Sequence, residues 1–396
     1  MRLILPKRFS LGNAIFSRGS TAYLDNRYAD VGIPRIRRIG LSKMIMVEEG
    51  TTNRNRDPFL SDINKVSVAG LSGSAGTKEE VSALMYGTKA VKVTCTNAGL
   101  VRLYDNAPNF TWTSGETAAI SCIVAVSKPS LISRFYLAIR SSIGTAIADA
   151  VSQSAKLLYD NVYLLTGIFT LTSSGLGAAG LQFNPMQPGD WYIVDAWQSE
   201  QKSYPTSITS GTRSAESLTI PTAGLTPGGG TIEGIFECNE MAKRTTENQW
   251  SNIFDIPTVS NTPGIMVWHN STSWRLETRD DNGTSSASAF ISDSLTPDGP
   301  IGYRVSWSPA KARLEFWSVE NDVFKTLLAS AEITNPKLPS AFASNMYIGS
   351  QNGSVNFLNT SFGRHRLSNI VRTDVPDLIV DSNTIAVLSP TYDFLR

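Results

Sequence analysis

The chain has 396 residues, and its 35 Lys and Arg nearly balance its 34 Asp and Glu, for a formal net charge of +1. That balance excludes a protein that coats nucleic acid or carries an acidic tail, and two His with three Cys exclude a zinc cluster or a disulfide framework. Hydrophobic residues at 41% suffice for a sizeable core, whereas charged residues at 17% fall below the ~25% of an average globular chain. Cys95, Cys122 and Cys238 show no Cys-x-x-Cys spacing and read as small buried hydrophobes in a reducing compartment. The apolar run Leu3-Ile4-Leu5 stops at Pro6, too short for a secretion signal. No window approaches ~18 consecutive apolar residues, so no membrane insertion is expected.

Residues 1–60 stand apart. They carry eleven Lys and Arg and five Asp and Glu, a net +6, whereas residues 61–396 carry 24 basic and 29 acidic side chains, a net −5. Their apolar residues are scattered, with no sustained period of 3.6 or 2. This predicts an extended arm with short strands that packs on another body. Arginine forks suit carboxylates across an interface, so Arg18, Arg35, Arg37 and Arg38 are the candidate anchoring residues. Arg35-Ile36-Arg37-Arg38 would also suit phosphates, but no stacking aromatics are interleaved with it, and no nucleic-acid partner is expected.

From Val66 the pattern becomes β. Val91, Val93 and Cys95 alternate with Lys92, Thr94 and Thr96; Ile120, Cys122, Val124 and Val126 alternate with smaller residues; Trp191, Ile193, Asp195 and Trp197 alternate with Tyr192, Val194 and Ala196. Residues 146–159 fit either an amphipathic helix or a strand, and the surrounding series favours a strand. A linker-like stretch, Tyr204-Pro205-Thr206-Ser207-Ile208-Thr209-Ser210-Gly211, precedes a second β series. There Ile232, Gly234, Phe236 and Cys238 share one face, followed by Ile265, Val267 and His269, then Trp274, Leu276 and Thr278. Asp280-Asp281-Asn282-Gly283 ends that strand in a hairpin signal, because Asn-Gly accepts positive φ. Tyr303, Val305 and Trp307, then Leu314 and Phe316, and finally Met346-Tyr347-Ile348-Gly349 continue the series. Short strands at roughly 8–12-residue spacing predict sandwiches or barrels.

Arg18-Gly19-Ser20-Thr21-Ala22-Tyr23, Ile33-Pro34-Arg35 and Met46-Val47-Glu48-Glu49-Gly50-Thr51-Thr52-Asn53 occur in an order that resembles a segment frequent in bacteriophage and prophage virion proteins, with Ile33 and Met46-Val47 as mild departures. The stretch from Tyr86-Gly87-Thr88-Lys89 to Trp191-Tyr192-Ile193-Val194-Asp195-Ala196-Trp197 resembles a carbohydrate-binding-module-type jelly roll, with Tyr163-Leu164-Leu165 where a Trp-x-Arg is usual. Residues from about 212 onward resemble a concanavalin- or laminin-G-like jelly roll, on Tyr303-Arg304-Val305-Ser306-Trp307, Met346-Tyr347-Ile348-Gly349 and Phe362-Gly363-Arg364-His365-Arg366-Leu367-Ser368. The resemblance implies a tail-associated or decorating virion protein.

No catalytic order is present in the sequence. His269 and His365 form no His-x-x-x-His or Ser/His/Asp arrangement. The Val/Ile face predicts a half-buried, hydrogen-bonded His269, and Arg364 and Arg366 predict an exposed edge position for His365. Glu233, Glu237, Glu277 and Glu315 are the source of any carboxylate pair for glycoside hydrolysis, but alternating Glu on a solvated strand face is the ordinary outcome, so no catalytic residue is expected. Asp280, Asp281 and Asn282 gather the oxygen ligands that calcium prefers, although the same residues suit a turn; no other cofactor is expected. Sugars stack on aromatic rings while Asn, Asp and Arg satisfy hydroxyls. Trp307 aligns with Tyr303 and Val305 and reads as core. Trp317 has opposite parity to Leu314 and Phe316, and Trp268 to Val267. Trp274 opens a strand beside Asn270-Ser271-Thr272-Ser273, and Trp250 sits in Asn248-Gln249-Trp250-Ser251-Asn252. The candidate ligand contacts are therefore Trp250, Trp268, Trp274, Arg275 and Trp317.

The expectation is an all-β chain with an N-terminal anchoring arm (1–60) and two antiparallel jelly-roll sandwiches (61–205 and 206–396). Its expected role is a non-enzymatic virion protein of the tail-fibre or receptor-binding type, assembled in the host cytoplasm. It would dock other virion proteins through the arm, form a homo-oligomer such as a trimer, and present lectin-like modules to host cell-surface polysaccharide. The alternatives are a head decoration or minor capsid protein and a polysaccharide depolymerase; a missing β-helix repeat counts against the last. On this reading a truncation lacking residues 1–60 stays folded but fails to join particles.

Overall fold

A computed structural model describes residues 8–18, 22–24, 27–29, 36–39, 42–48, 50–70, 76–202, 205–206, 208–209, 212–238, 251–270, 272–286, 288–351, 358 and 360–393. Among these residues the chain is all-β apart from three short 3-10 turns. It forms two compact units. The first comprises Met1–Gly19, Val31–Glu49 and Ser214–Arg396, and the second Ser20–Asp30 and Gly50–Arg213.

The first unit is a sandwich of two antiparallel sheets. Among the described residues, one sheet runs in the order Arg8–Gly12, Thr384–Asp393, Thr360–Ser368, Gly230–Cys238, Gly299–Trp307, Lys311–Glu320 and Val323–Thr334, with Ser42–Val47 and then Ile36–Ile39 branching from Thr360–Ser368. The other runs Ile15–Arg18, Glu216–Pro221, Asn345–Ile348, Ser251–Pro257, Pro263–Asn270, Ser273–Thr278 and Ala289–Ser292. Period-two alternation turns Ile232, Phe236, Tyr303, Val305, Trp307, Leu314 and Phe316 of the first sheet inward. They meet Phe254, Ile265, Val267, Trp274, Leu276 and Ile348 of the second in one core.

His365 sits in this core and not at an exposed edge: it is 2% exposed. Its Nδ1 donates to the Gly363 carbonyl at 3.0 Å, and its ring meets Tyr303 edge-on at 5.5 Å. Burial pushes its pKa down to about 4, with the Gly363 bond opposing, so the ring is neutral near pH 7. Gly234 lies directly opposite. A Cβ there would stand 2.2 Å from the imidazole Cδ2, so the strand needs glycine to seat the ring. His269 is fully buried with Nε2 2.7 Å from Asp293 Oδ1, deeper than the half-buried position expected of it.

The second unit is also a sandwich. Its strands follow the order Val66–Ala69, Gly99–Asp105, Ala178–Met186, Phe135–Arg140, Ala146–Tyr159, Val162–Thr170, Thr117–Val126, Trp191–Glu200, Lys89–Cys95 and Gly76–Ser82. Ala146–Tyr159, the segment compatible with a helix, is a strand. Its beginning pairs with Phe135–Arg140 and its remainder with Val162–Thr170, so it carries the path from one layer to the other. Val101, Leu137, Ile139, Leu181 and Phe183 of one layer pack on Val91, Val93, Ile120, Val124, Phe169 and Tyr192 of the other. A bulge interrupts the alternation read from Trp191 to Trp197: Ile123 faces Ala196 but Val124 faces Val194, leaving Asp195 unpaired in the ladder. The Asp195 carboxylate instead accepts the Leu84, Met85 and Tyr86 N–H groups at 2.8, 2.9 and 2.7 Å. The extra residue returns Trp197 to the core side.

The first sixty residues, in their described part, are strands and seams of the two units and not a separate arm. Arg8–Gly12, Ile15–Arg18 and Ser42–Val47 are hydrogen-bonded members of the first sandwich. In the second unit, Asn53 Nδ2 donates to the Trp197 and Thr209 carbonyls at 3.1 and 2.8 Å. Asn55 Oδ1 accepts from the Ala179 N–H at 2.9 Å and the Ser199 hydroxyl at 2.7 Å. Thr51 donates to the fully buried Glu200 at 2.5 Å. The expected linker is likewise structural where it is described: Thr206 donates to Glu200 from its N–H at 2.6 Å and its hydroxyl at 2.8 Å, and Ile208 is buried. Burial raises the Glu200 carboxyl above the usual range, and these donors pull it partly back.

Candidate functional site

The anchoring arginines divide. Arg18 is 3% exposed, and its Nη1 donates to Glu216 Oε1 at 2.9 Å. It is an internal ion pair and not an interface fork, because its charge is already matched by a residue 198 positions away. Arg37 and Arg38 lie in the strand Ile36–Ile39, and Arg35 lies outside the described residues.

The candidate ligand contacts also divide. Trp250 lies outside the described residues. Trp274 shares parity with Leu276 and is fully buried in the core, so it has no ligand-facing surface. Trp317 does face away from that core, as its parity predicts, but it is only 8% exposed. A local cluster of Met44, Ile235, Phe324 and Leu378 encloses it, and its Nε1 donates to Glu315 Oε2 at 3.3 Å.

The surface around Trp317 is a ladder of charges. Arg366, Glu233, Arg304 and Glu315 stand in cross-strand register on four neighbouring strands. Arg366 Nε donates to Glu233 Oε2 at 2.8 Å, and Arg304 Nε to Glu315 Oε2 at 2.7 Å. Segment 374–379 closes over them. Asp377 Oδ1 accepts from Arg366 at 2.7 Å, the Leu378 carbonyl accepts from Arg364 at 3.1 Å, and the Asp374 carbonyl accepts from Arg304. Burial raises the Glu233 carboxyl, and Arg366 and then Arg304 oppose that rise. Two of the Glu residues considered for hydrolysis, Glu233 and Glu315, are thus engaged by arginines. This ladder was missed because its partners lie up to 133 residues apart.

Trp268 and Arg275 come together on the outer face of the other sheet. They are cross-strand partners, and Arg275 is in turn opposite Phe290. The Arg275 guanidinium carbon lies 4.9 Å from the Trp268 ring centroid and 4.5 Å from that of Phe290. Trp268 is 4% exposed, and its Nε1 donates to Glu277 Oε2 at 3.0 Å. Glu277 is held on its other oxygen by Arg279 at 2.8 Å. Phe290 is 53% exposed and forms the open end of the row. Sequence reading missed Phe290, although its alternation with Ala289 and Ile291 marks it as outward-facing.

The second unit has a cleft of ≈ 350 Å³ lined by Gly50, Thr51, Thr52, Arg54, Gln201, Lys202 and Thr212. Arg54 lies 4.4 Å over the Trp112 ring and 3.8 Å from Glu116. Gln201 donates to Glu116 at 2.8 Å. The polar groups of this cleft therefore bond largely to one another.

The proposed calcium turn has its carboxylates engaged by backbone. Asp280 Oδ1 accepts from the Asn282 and Thr284 N–H groups at 3.0 and 2.9 Å, which holds its carboxyl below the usual range. Asp281 Oδ2 accepts from the Ser340 N–H at 3.0 Å. Gly283 takes φ +75° to close the turn. Among the described residues, no group of three or more His, Cys, Asp or Glu is placed to hold a metal ion.

No protein-family model and no curated protein matches the chain. Among solved structures it is similar to the N-terminal CBM22-1–CBM22-2 tandem domain from Paenibacillus barcinonensis Xyn10C, at 10% identity over 87% of this chain and 99% of that one, with a TM-score of 0.26. It is similar at the same identity and TM-score to mouse laminin alpha1 chain domains LG4-5, over 80% of this chain and 99% of that one. At that score the likeness carries no argument about function; the sandwich architecture rests on the strand pairing above.

Proposed function

We propose that the protein is a non-enzymatic, lectin-like glycan-binding protein displayed on a bacteriophage particle. The observation that carries the glycan reading is the Trp268–Arg275–Phe290 row, an aromatic and cationic surface that ends in an exposed ring on the outer face of a sandwich. Exposed aromatic faces beside hydrogen-bond donors are the usual chemistry of sugar recognition. The virion setting is supported by the ordered motifs from Arg18 to Asn53. Their described residues serve within the two units. Weak single sites suffice on a particle, because multivalency raises avidity ~10²–10⁴-fold; a homotrimer is the assembly proposed.

Two measurements test the reading. Purified protein on a bacterial glycan array should retain a subset of saccharides without shortening them; retention of none overturns the glycan reading, and shortened chains overturn the non-enzymatic one. Antibody labelling of intact particles should mark the tail. Label confined to the head would favour a decoration protein, and unlabelled particles would remove the virion setting.

A further inference from the structure

We infer that Arg275 is a carboxylate fork, and that the saccharide bound at the Trp268–Arg275–Phe290 row is an acidic one whose sugar ring rests against Phe290. This inference rests on the glycan-binding reading and narrows it to a ligand class.

Several buried or half-buried arginines are spent on carboxylates. Arg18, Arg304 and Arg366 each meet a carboxylate at 2.9 Å or closer. Arg279 meets Glu277 at 2.8 Å. Arg275 differs. Its contacts are the two rings, and no carboxylate pairs with it among the described residues. Its Nε is buried and bonded to nothing. The nearest acidic side chain along its own strand, Glu277, is committed to Arg279 and the Trp268 indole, so it does not neutralise the site.

A guanidinium flanked by rings keeps its planar N–H donors for a partner in its own plane. A carboxylate accepts two such parallel bonds and matches that fork. The flanking rings fix the side chain beforehand, so little rotamer entropy is lost on binding. Phe290 supplies the second half of the site. Its ring is 53% exposed and 4.5 Å from the guanidinium carbon, close enough for one pyranose to stack on the ring while its carboxylate reaches the fork. A neutral sugar would leave the guanidinium charge unmatched, at a cost in affinity.

The test uses the full chain and a panel of uronic-acid and sialic-acid homopolymers, each beside its carboxyl-reduced form and beside dextran sulfate. Binding is read by biolayer interferometry at 0.15 M salt. The expected result is retention of an acidic polymer, at least tenfold weaker binding of its carboxyl-reduced form, and at least tenfold weaker binding by Arg275→Met. Arg275→Lys keeps the charge without the fork and should also bind weakly, while Phe290→Ala should weaken binding with an unchanged melting temperature. Equal binding of acidic and reduced polymers by wild type and Arg275→Met overturns the carboxylate fork and leaves glycan binding standing. Dextran sulfate bound as tightly as the acidic sugars overturns carboxylate selectivity. Absence of binding to any saccharide, acidic or neutral, overturns this inference together with the reading on which it rests.

Discussion

The two outer faces of the first sandwich use the same raw material to opposite ends. Both carry arginines and glutamates at the outward positions of neighbouring strands. On the face of Gly230–Cys238 and Gly299–Trp307 the charges alternate in register, pair with one another and are sealed by segment 374–379. On the face of Pro263–Asn270 and Ser273–Thr278, Arg275 is pinned by rings and left without an anion. A matched buried charge is consumed by the fold; a preorganised unmatched one at a surface is available for a ligand. The contrast separates two arginines that look alike in a sequence.

The largest expected effect strikes both faces at once. Deleting residues 1–60 removes Ser42–Val47 from one sheet and Ile15–Arg18 from the other, and takes Asn53 and Asn55 from the second unit. The truncated chain should be insoluble on expression; a soluble product with native β circular dichroism would show that these segments are dispensable. Arg366→Met comes next. It leaves Glu233 buried with its remaining arginine 3.9 Å away, and breaking such a pair costs ~3–5 kcal/mol, read as a shift in the urea midpoint. A change below ~1 kcal/mol would mean that segment 374–379 reseats around the charge.

The third effect comes from His365. Its folded pKa of about 4 lies below the ordinary 6.5, so the unfolded chain binds the extra proton between those values. Stability is therefore full above pH ~6.5 and falls as pH drops toward 4, by at most ~3 kcal/mol at 1.36 kcal/mol per pKa unit. Glu200 and Glu233, raised by burial, act with the opposite sign over the acid range. The His365 share is thus the difference between wild type and His365→Gln in urea midpoints at pH 7 and 4.5. Equal acid sensitivity in both would refute it. The smallest effect on stability belongs to Arg275→Met, which should cost about 1 kcal/mol or less, the worth of exposed cation–π contacts, while removing acidic-saccharide binding.

Local alternation made much of the fold legible. It placed Ile232, Phe236, Val305, Trp307, Leu314 and Phe316 correctly, and even turned Trp317 to the outer side. What it could not supply was coverage from distant chain. Leu378 closes over Trp317 from 61 positions away, and Glu216 claims Arg18 from 198. The bulge at Asp195 defeated alternation directly, because one extra residue inverts every side chain beyond it. Trp274 was misassigned against its own signal: it stands in line with Leu276 and Thr278. Of the candidate site, Trp268 was marked by parity, and Arg275 stood beside Trp274 in the sequence. Their partnership with Phe290 required the register.

The pairing of Arg8–Gly12 with Thr384–Asp393 has a consequence in time. Phe9 lies opposite Tyr392, and Ile45 opposite Phe362. During synthesis at ~5–20 residues per second, residues 50–213 emerge with their mutual partners and can close their own sandwich. Ile15–Arg18 meets Glu216–Pro221 almost at once, but Arg8–Gly12 and one edge of Ser42–Val47 must wait a further interval of roughly 10–40 s for theirs. Met44-Ile45-Met46-Val47, paired on one side with Ile36–Ile39, spends that interval with its other edge apolar and unsatisfied, the kind of species on which chaperones act. The first sandwich therefore stays open until Thr384–Asp393 emerges, after the second unit already has its partners.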